Sequence, residues 1–185
     1  MRLSNNRYEE IKEIVINFLI KHDISCIPIN GFEIATKMGI NIQPYPRKRT
    51  ELFKKMSQDG FTLFTEPTPM IYYNPMKPYQ RLNNTIVHEI GHIILNHTQE
   101  SDLAEAEVNF FAKYLLAPPV LVHKLGLQSA EEISKFFQIS ELASKIAWQY
   151  YICWNKKTNN TFQPYEIKLI NLFQENIGDL LQKRN

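Results

Sequence analysis

Thr85-Ile86-Val87-His88-Glu89-Ile90-Gly91-His92-Ile93-Ile94-Leu95 is the stretch on which fold and chemistry both turn. It holds His-Glu-x-x-His at His88, Glu89 and His92. Four positions along a helix amount to roughly 40° of rotation and one turn of rise, so both imidazoles can reach one ion. Glu89 follows the first ligand directly and cannot share its position, but its carboxylate can reach a water on that ion. Two neutral nitrogens, an open coordination position and a base beside the water are what a zinc-dependent hydrolase needs. Val87, Ile90 and Ile94 make an apolar stripe that Ile86, Ile93 and Leu95 widen. The pattern therefore sits in a buried helix rather than a loop, which weighs against chance. Gly91 costs about 1 kcal/mol of helix propensity, and a close-approach surface beside the ion is the expected reason for it.

The third ligand has to come from elsewhere. A metzincin would carry Gly and His where this chain has Leu95 and Thr98, so that class is excluded. His97, extrapolated along the helix, lies about 140° from His92 and is read as a surface residue near the helix end. A second helix is expected from Asp102 to Leu116, capped at Ser101 or Asp102 and stopped by Pro118 and Pro119. On it Glu105, Asn109, Ala112 and Leu116 share a face that Val108, Phe111 and Leu115 continue. That places Glu105 on the buried side as the favoured third ligand, with Asn109 one turn below it as a polar partner. Glu107, about 200° away, is either solvated or, on a rolled helix, the ligand itself.

The pair His88-Glu-Ile-Gly-His92 and Glu105-Ala-Glu-Val-Asn109-Phe-Phe-Ala112-Lys-Tyr-Leu-Leu-Ala-Pro118 resembles the ImmA/IrrE family of small zinc metallopeptidases. In that family a zinc helix precedes a Glu-x-x-Ala-Asn-x-Phe-Ala-x-x-Leu-Leu-Met-Pro-like helix. Met70-Ile-Tyr-Tyr-Asn74 is similar to its strand ending in Asn, and Phe137-Gln-Ile-Ser140-Glu-Leu-Ala143 to its Val-Ser-x-x-Ala segment. The likeness runs over residues 8–155, with Val108 for the usual Ala and Ala117 for the usual Met. It implies zinc as cofactor and, as partner, a protein substrate: a repressor-type transcription regulator of a mobile element or stress response. It also implies a small sheet beside the zinc helix whose edge strand pairs with an extended substrate.

Composition sets no obstacle. A chain of 185 residues that is 44% hydrophobic and 22% charged can bury a core. Its net charge of +2 points to neither nucleic acid nor membrane. Cys26 and Cys153 lie far apart and are expected to be reduced and partly buried. No leader or membrane-length apolar run is visible, so a cytoplasmic protein with no membrane partner is expected.

Along the chain, residues 7–21 read as an amphipathic helix, and Asn30 with Glu33 opens a short one that ends near Gly39. Strands are expected at Ile40–Gln43, Phe61–Thr65 and Met70–Tyr73. Arg47-Lys48-Arg49 and Lys54-Lys55 are read as a solvated loop rather than a contact for an acidic or nucleic-acid partner. Tyr72, Tyr73 and Tyr79 are read as packing residues rather than oxyanion donors. Two helices near residues 129–151, the first opened by a Ser129–Glu132 capping box, have helix-turn-helix length. Leu142, Ile146 and Trp148 are expected inside; Glu141, Ser144, Lys145 and Gln149 outside. One basic residue in four favours a structural pair over a nucleic-acid reader. A polar loop at residues 155–162 leads to a last helix from Pro164.

The reading is thus one α+β, zincin-like domain over residues 1–185, mostly helical with a small sheet of about three strands. Its core spans residues 8–118 and a helical C-terminal part residues 119–185. Zn2+ is held by His88, His92 and Glu105, Glu89 is the catalytic base and acid of an endopeptidase, and Asn109 orients a ligand. Two alternatives stay open. One is a zinc-containing module that grips a regulator without cutting it. The other is a DNA-binding regulator using the pair near residue 140.

Overall fold

Asn30 opens the part of the chain that builds the site. The computed structural model describes residues 2–65, 67–159 and 161–183. After α1 (Asn5–Lys21), the Asn30 side chain accepts the backbone N–H groups of Phe32 and Glu33 and so caps α2 (Gly31–Lys37). Gly39, at φ +70°, takes the left-handed position that ends the helix and turns the chain into β1 (Asn41–Pro44). A 3-10 turn at Arg47–Arg49 and α3 (Thr50–Met56) then replace the expected loop. No side-chain cap marks these elements. Tertiary packing holds them instead: the Phe53 ring lies 5.3 Å from Tyr45, 5.6 Å from Phe61 and 5.1 Å from Tyr72.

β2 (Gly60–Leu63) and β3 (Met70–Tyr73), two of the expected strands, pair antiparallel. The sheet has the order β1-β3-β2, with β1 parallel and β2 antiparallel to β3. Alternation divides its faces. Phe61 and Tyr72 are register partners and stack on the aromatic side at 5.5 Å. Thr62 and Ile71, the next pair, face the other way, toward α4 (Tyr79–Ile94). Tyr72 thus belongs to the aromatic cluster, and Tyr73 packs edge-on against Phe32.

Several polar ties fix α4 against its surroundings. Asp59 accepts two 2.7 Å bonds from the Arg81 guanidinium and lies 3.3 Å from the Lys77 amine. Buried Asn83 accepts the Gly31 N–H at 2.6 Å, which locks α2 to α4. Buried Asn74, at the end of β3, donates to the Gln58 carbonyl and accepts the Met76 N–H, closing the loop before α4. At Gly60 an added Cβ would stand 2.6 Å from the Thr85 methyl and 2.8 Å from the Tyr72 carbonyl oxygen. The missing side chain is what lets α4 come this close to the sheet.

α5 (Asp102–Leu116) begins under a Ser101 cap, whose hydroxyl accepts the Ala104 N–H at 3.1 Å. The chain is organised in two compact units. Asn30–Ala112 makes the body of the first; Ser4–Ile29 and the segment from Lys113 onward make the second. The second unit adds α6 (Pro119–Lys124), α7 (Ala130–Phe137), α8 (Glu141–Thr158), α9 (Pro164–Leu172) and α10 (Gln174–Gln182) to α1. Its core gathers Ile11, Val15, Leu19, Leu121, Ile133, Phe137, Leu169 and Phe173. The architecture is α+β and mostly helical with a three-stranded mixed sheet, as a zincin-like domain requires.

Four local expectations need correction. α8 runs through Thr158 and takes up half of the expected polar loop. It is also rolled: Ser144 is buried at 1% exposure while Leu142 is 70% exposed and Ile146 faces solvent. The small side chains Ser144 and Ala147 form the packed face because they admit the neighbouring helix closely. The single last helix is instead two, with Phe173 buried at the break. Cys26 and Cys153 are free but exposed rather than partly buried. No helix among the described residues is long and apolar enough to cross a membrane.

Candidate metal centre

The site lies wholly within the first unit. Ile86, Val87 and Ile90 bury one side of α4 completely, which leaves His88 and His92 on the flank that meets α5. The two helices touch at Gly91. An added Cβ there would lie 2.5 Å from a Val108 methyl and 2.9 Å from the Phe111 ring. This is the close approach that the glycine predicted, and it brings α5 near enough for a carboxylate to join the two imidazoles.

That carboxylate is Glu105. The Nε2 atoms of His88 and His92 are 3.2 Å apart. Glu105 Oε1 lies 3.2 Å from His92 Nε2, and its Oε2 lies 3.6 Å from His88 Nε2. Ligands held about 2.0–2.1 Å from a tetrahedral ion are about 3.3 Å from one another. The nitrogen–nitrogen separation and the nearer nitrogen–oxygen one are close to the edges of such a tetrahedron. One donor atom from each of the three residues lies within 4.8 Å of the others, and the donor set of two nitrogens and one oxygen suits a borderline ion such as zinc. Burial lowers the pKa of both histidines, opposed in each by the Glu105 charge. That direction favours the neutral imidazole, the form that can ligate.

Glu105 is not on the buried side of α5. Its side chain is 49% exposed, on the open rim of the site. Asn109 is exposed too and makes no bond to His88, His92 or Glu105 among the described residues. Glu107, one of whose expected places was solvent, is the buried acid, with 9% of its side chain exposed. The apolar part of the predicted face is buried as read, at Val108, Phe111, Ala112 and Leu115. The two polar members stand at its edge, because a site that admits a substrate has to open to solvent.

Glu89 points from α4 toward the sheet. It is buried, and the Thr62 hydroxyl on β2 donates to its Oε2 at 2.7 Å. Burial pushes its pKa up to about 7, with the Thr62 bond opposing. A cation at the three ligand atoms would favour the charged form and act against that rise. Thr62 is a site residue that sequence reasoning missed, since a polar residue in an alternating strand carries no label of its partner.

His97 is the second miss. α4 does not continue to it. Asn96 adopts the left-handed conformation at φ +56°, the His97 N–H bonds the His92 carbonyl at 2.9 Å, and the Asn96 N–H bonds the Ile93 carbonyl at 3.2 Å. This is a Schellman turn, and it folds His97 back onto the helix it leaves. The His97 side chain is 10% exposed rather than at the surface. Its Nδ1 lies 3.1 Å from His92 Nδ1, and its Nε2 lies 3.0 Å from Glu107 Oε2.

No curated protein matches the chain. The model of a peptidase family described as the IrrE N-terminal-like domain matches residues 35–148, which include the sheet, α4, α5, α7 and the first part of α8. The match spans more than half of the 185 residues, and the chain belongs to this IrrE N-terminal-like family of metal-dependent peptidases.

Proposed function

We propose that the protein is a zinc endopeptidase in which His88, His92 and Glu105 hold the ion and Glu89 moves the protons. The observation that carries this is the convergence of three side chains, with His88 Nε2 and His92 Nε2 3.2 Å apart and the Glu105 carboxylate 3.2 Å from His92 through Oε1 and 3.6 Å from His88 through Oε2, beside a buried carboxylate one residue from the first ligand. Zinc, when bound, supplies a Lewis acid that polarises the scissile carbonyl and makes water a nucleophile near neutral pH. Glu89 accepts a proton from the attacking water as the carbon–oxygen bond forms. It then delivers that proton to the leaving amine as the carbon–nitrogen bond breaks. Thr62 holds the carboxylate in place during both transfers.

β2 lies at an edge of the sheet and carries Thr62. Its outer backbone groups offer an extended substrate segment an antiparallel partner beside Glu89. Family membership supports a peptidase, and we take its physiological substrate to be a repressor-type transcription regulator, as the motif resemblance implies. We also propose a cytoplasmic site of action. The α7–α8 pair serves the fold in this reading: Ser144 is buried and only Glu141, Lys145 and Gln149 of the expected reading face are exposed.

The test is direct. The purified protein is expected to carry about one zinc per chain, to lose it on joint replacement of His88 and His92 by Ala, and to cut a repressor-type transcription regulator, sought first among the products of the neighbouring genes. Full metal content in the double variant would remove the site. A zinc-loaded protein that binds the regulator yet leaves it intact would establish a gripping module instead.

A further inference from the structure

We infer that Glu107 and His97 form a positioning pair that selects the tautomer and fixes the ring of His92. The inference rests on the reading of His92 as a ligand. Three side chains stand in line: Glu107 Oε2 is 3.0 Å from His97 Nε2, and His97 Nδ1 is 3.1 Å from His92 Nδ1. Glu107 and His97 are nearly buried, at 9% and 10% side-chain exposure, so the line is shielded from water. The Schellman turn at Asn96 is the backbone device that brings His97 into it.

Donor and acceptor roles follow from one end of the line. A carboxylate only accepts, so His97 must present its proton on Nε2. A neutral His97 then has a lone pair on Nδ1, and His92 must donate from its own Nδ1. A neutral His92 is left with a lone pair on Nε2, the atom that faces His88 Nε2 and Glu105 Oε1. Glu107, two side chains away, thereby decides that the ligand position of His92 carries no proton. Without the pair, a competing arrangement is at hand. Glu105 Oε1 is 3.2 Å from His92 Nε2 and would accept a proton placed there, tying up both ligands in a hydrogen bond. Partners of this kind typically change metal affinity about 10- to 100-fold.

The test uses the full-length chain and two variants. Glu107→Gln is isosteric and keeps a hydrogen bond to His97. Its amide can donate as well as accept, so it no longer dictates the direction of the line. The His97→Leu/Glu107→Leu double variant removes both polar side chains of the pair together. Zinc affinity is measured by competition with a chromophoric chelator, unfolding by urea on the metal-free protein, and the His92 tautomer by nitrogen NMR of the metal-free protein near pH 8, above the ordinary imidazole pKa. The wild type is expected to show His92 protonated on Nδ1. Glu107→Gln should mix the two tautomers and weaken zinc several-fold with an unchanged urea midpoint; the double variant should lose about 10- to 100-fold. A pair that serves packing alone would let Glu107→Gln keep both the tautomer and the zinc affinity of the wild type, and that result overturns the inference. A wild type that binds no zinc would defeat the ligand reading instead, and the metal-free His92 tautomer would still decide the pairing.

Discussion

Replacing Gly91 by Ala tests how the two halves of the site are brought together. The new Cβ would stand 2.5 Å from a Val108 methyl, 0.9 Å short of the 3.4 Å at which ordinary contact begins. Phe111, at 2.9 Å, blocks the neighbouring direction. Val108 is one helical turn from Glu105, so α5 cannot move aside without carrying the third ligand with it. Overpacking of this kind costs about 1–3 kcal/mol, and the better helix propensity of Ala offsets about 1 kcal/mol of it. The net loss is therefore at most about 2 kcal/mol, a fall in Tm of up to about 8 °C for a chain of this size. The metal reports more sharply. Ligand distances tolerate about ±0.2 Å, and even a third of the missing space exceeds that, so zinc affinity should drop on the order of tenfold or more. Gly178 in α10 is the matched control: nothing lies within 4 Å of its added Cβ, and Gly178→Ala should stabilise by up to about 1 kcal/mol without touching zinc. Chelator competition and urea unfolding on both variants give the answer. A Gly91→Ala protein with wild-type stability and wild-type zinc affinity would refute the idea that this contact sets the ligand geometry.

Three further outcomes are expected. Glu105→Ala should weaken zinc far more than Glu107→Ala, since one removes a ligand atom and the other acts through two imidazoles; the reverse order in a metal titration would reassign the third ligand. Asp59 is held below its ordinary pKa of 3.8 chiefly by the hydrogen bonds from Arg81. Its contribution to stability is therefore complete above that value and lost as pH falls through the lowered one, so the urea midpoint of Asp59→Asn should converge with that of the wild type in acid and lie below it at neutral pH, by under about 1 kcal/mol for so exposed a pair. Replacing Glu141, Lys145 and Gln149 together should change no sequence-specific DNA binding; a tight, salt-sensitive gel shift lost in that variant would restore the nucleic-acid reading.

The motif helix, the three strands and the capped starts at Asn30, Ser101 and Ser129 were legible because each is written locally, as a period or as a hydroxyl or amide before a helix. What was not legible depended on the end of one element or the roll of another. His97 was misplaced by extending α4 past Leu95, although Asn96, after Gly the residue best suited to a left-handed stop, was in plain view. Glu105 was misplaced by grouping it with Ala112 and Leu116, although Asp102, Glu105, Asn109 and Lys113 recur at helical spacing and mark the wet face of α5, with Glu107 on the opposite side. α8 was rolled the wrong way because small residues rather than Leu142 and Ile146 make its packed side. α3 carries no side-chain cap at its start and exists because Phe53 has an aromatic cluster to join, which is information about the fold and not about the segment.

Glu89→Gln puts the central claim to its most direct measurement. The substitution keeps shape and leaves an oxygen to accept from Thr62, but it removes the carboxylate that takes and returns the proton. Zinc content and urea midpoint should stay at wild-type values, because Glu89 is not one of the three ligand atoms. Cleavage of the regulator should fall by about 10² to 10⁴, while the uncut regulator still co-purifies with the variant. A folded, zinc-loaded Glu89→Gln protein that cuts the regulator at the wild-type rate would contradict the account.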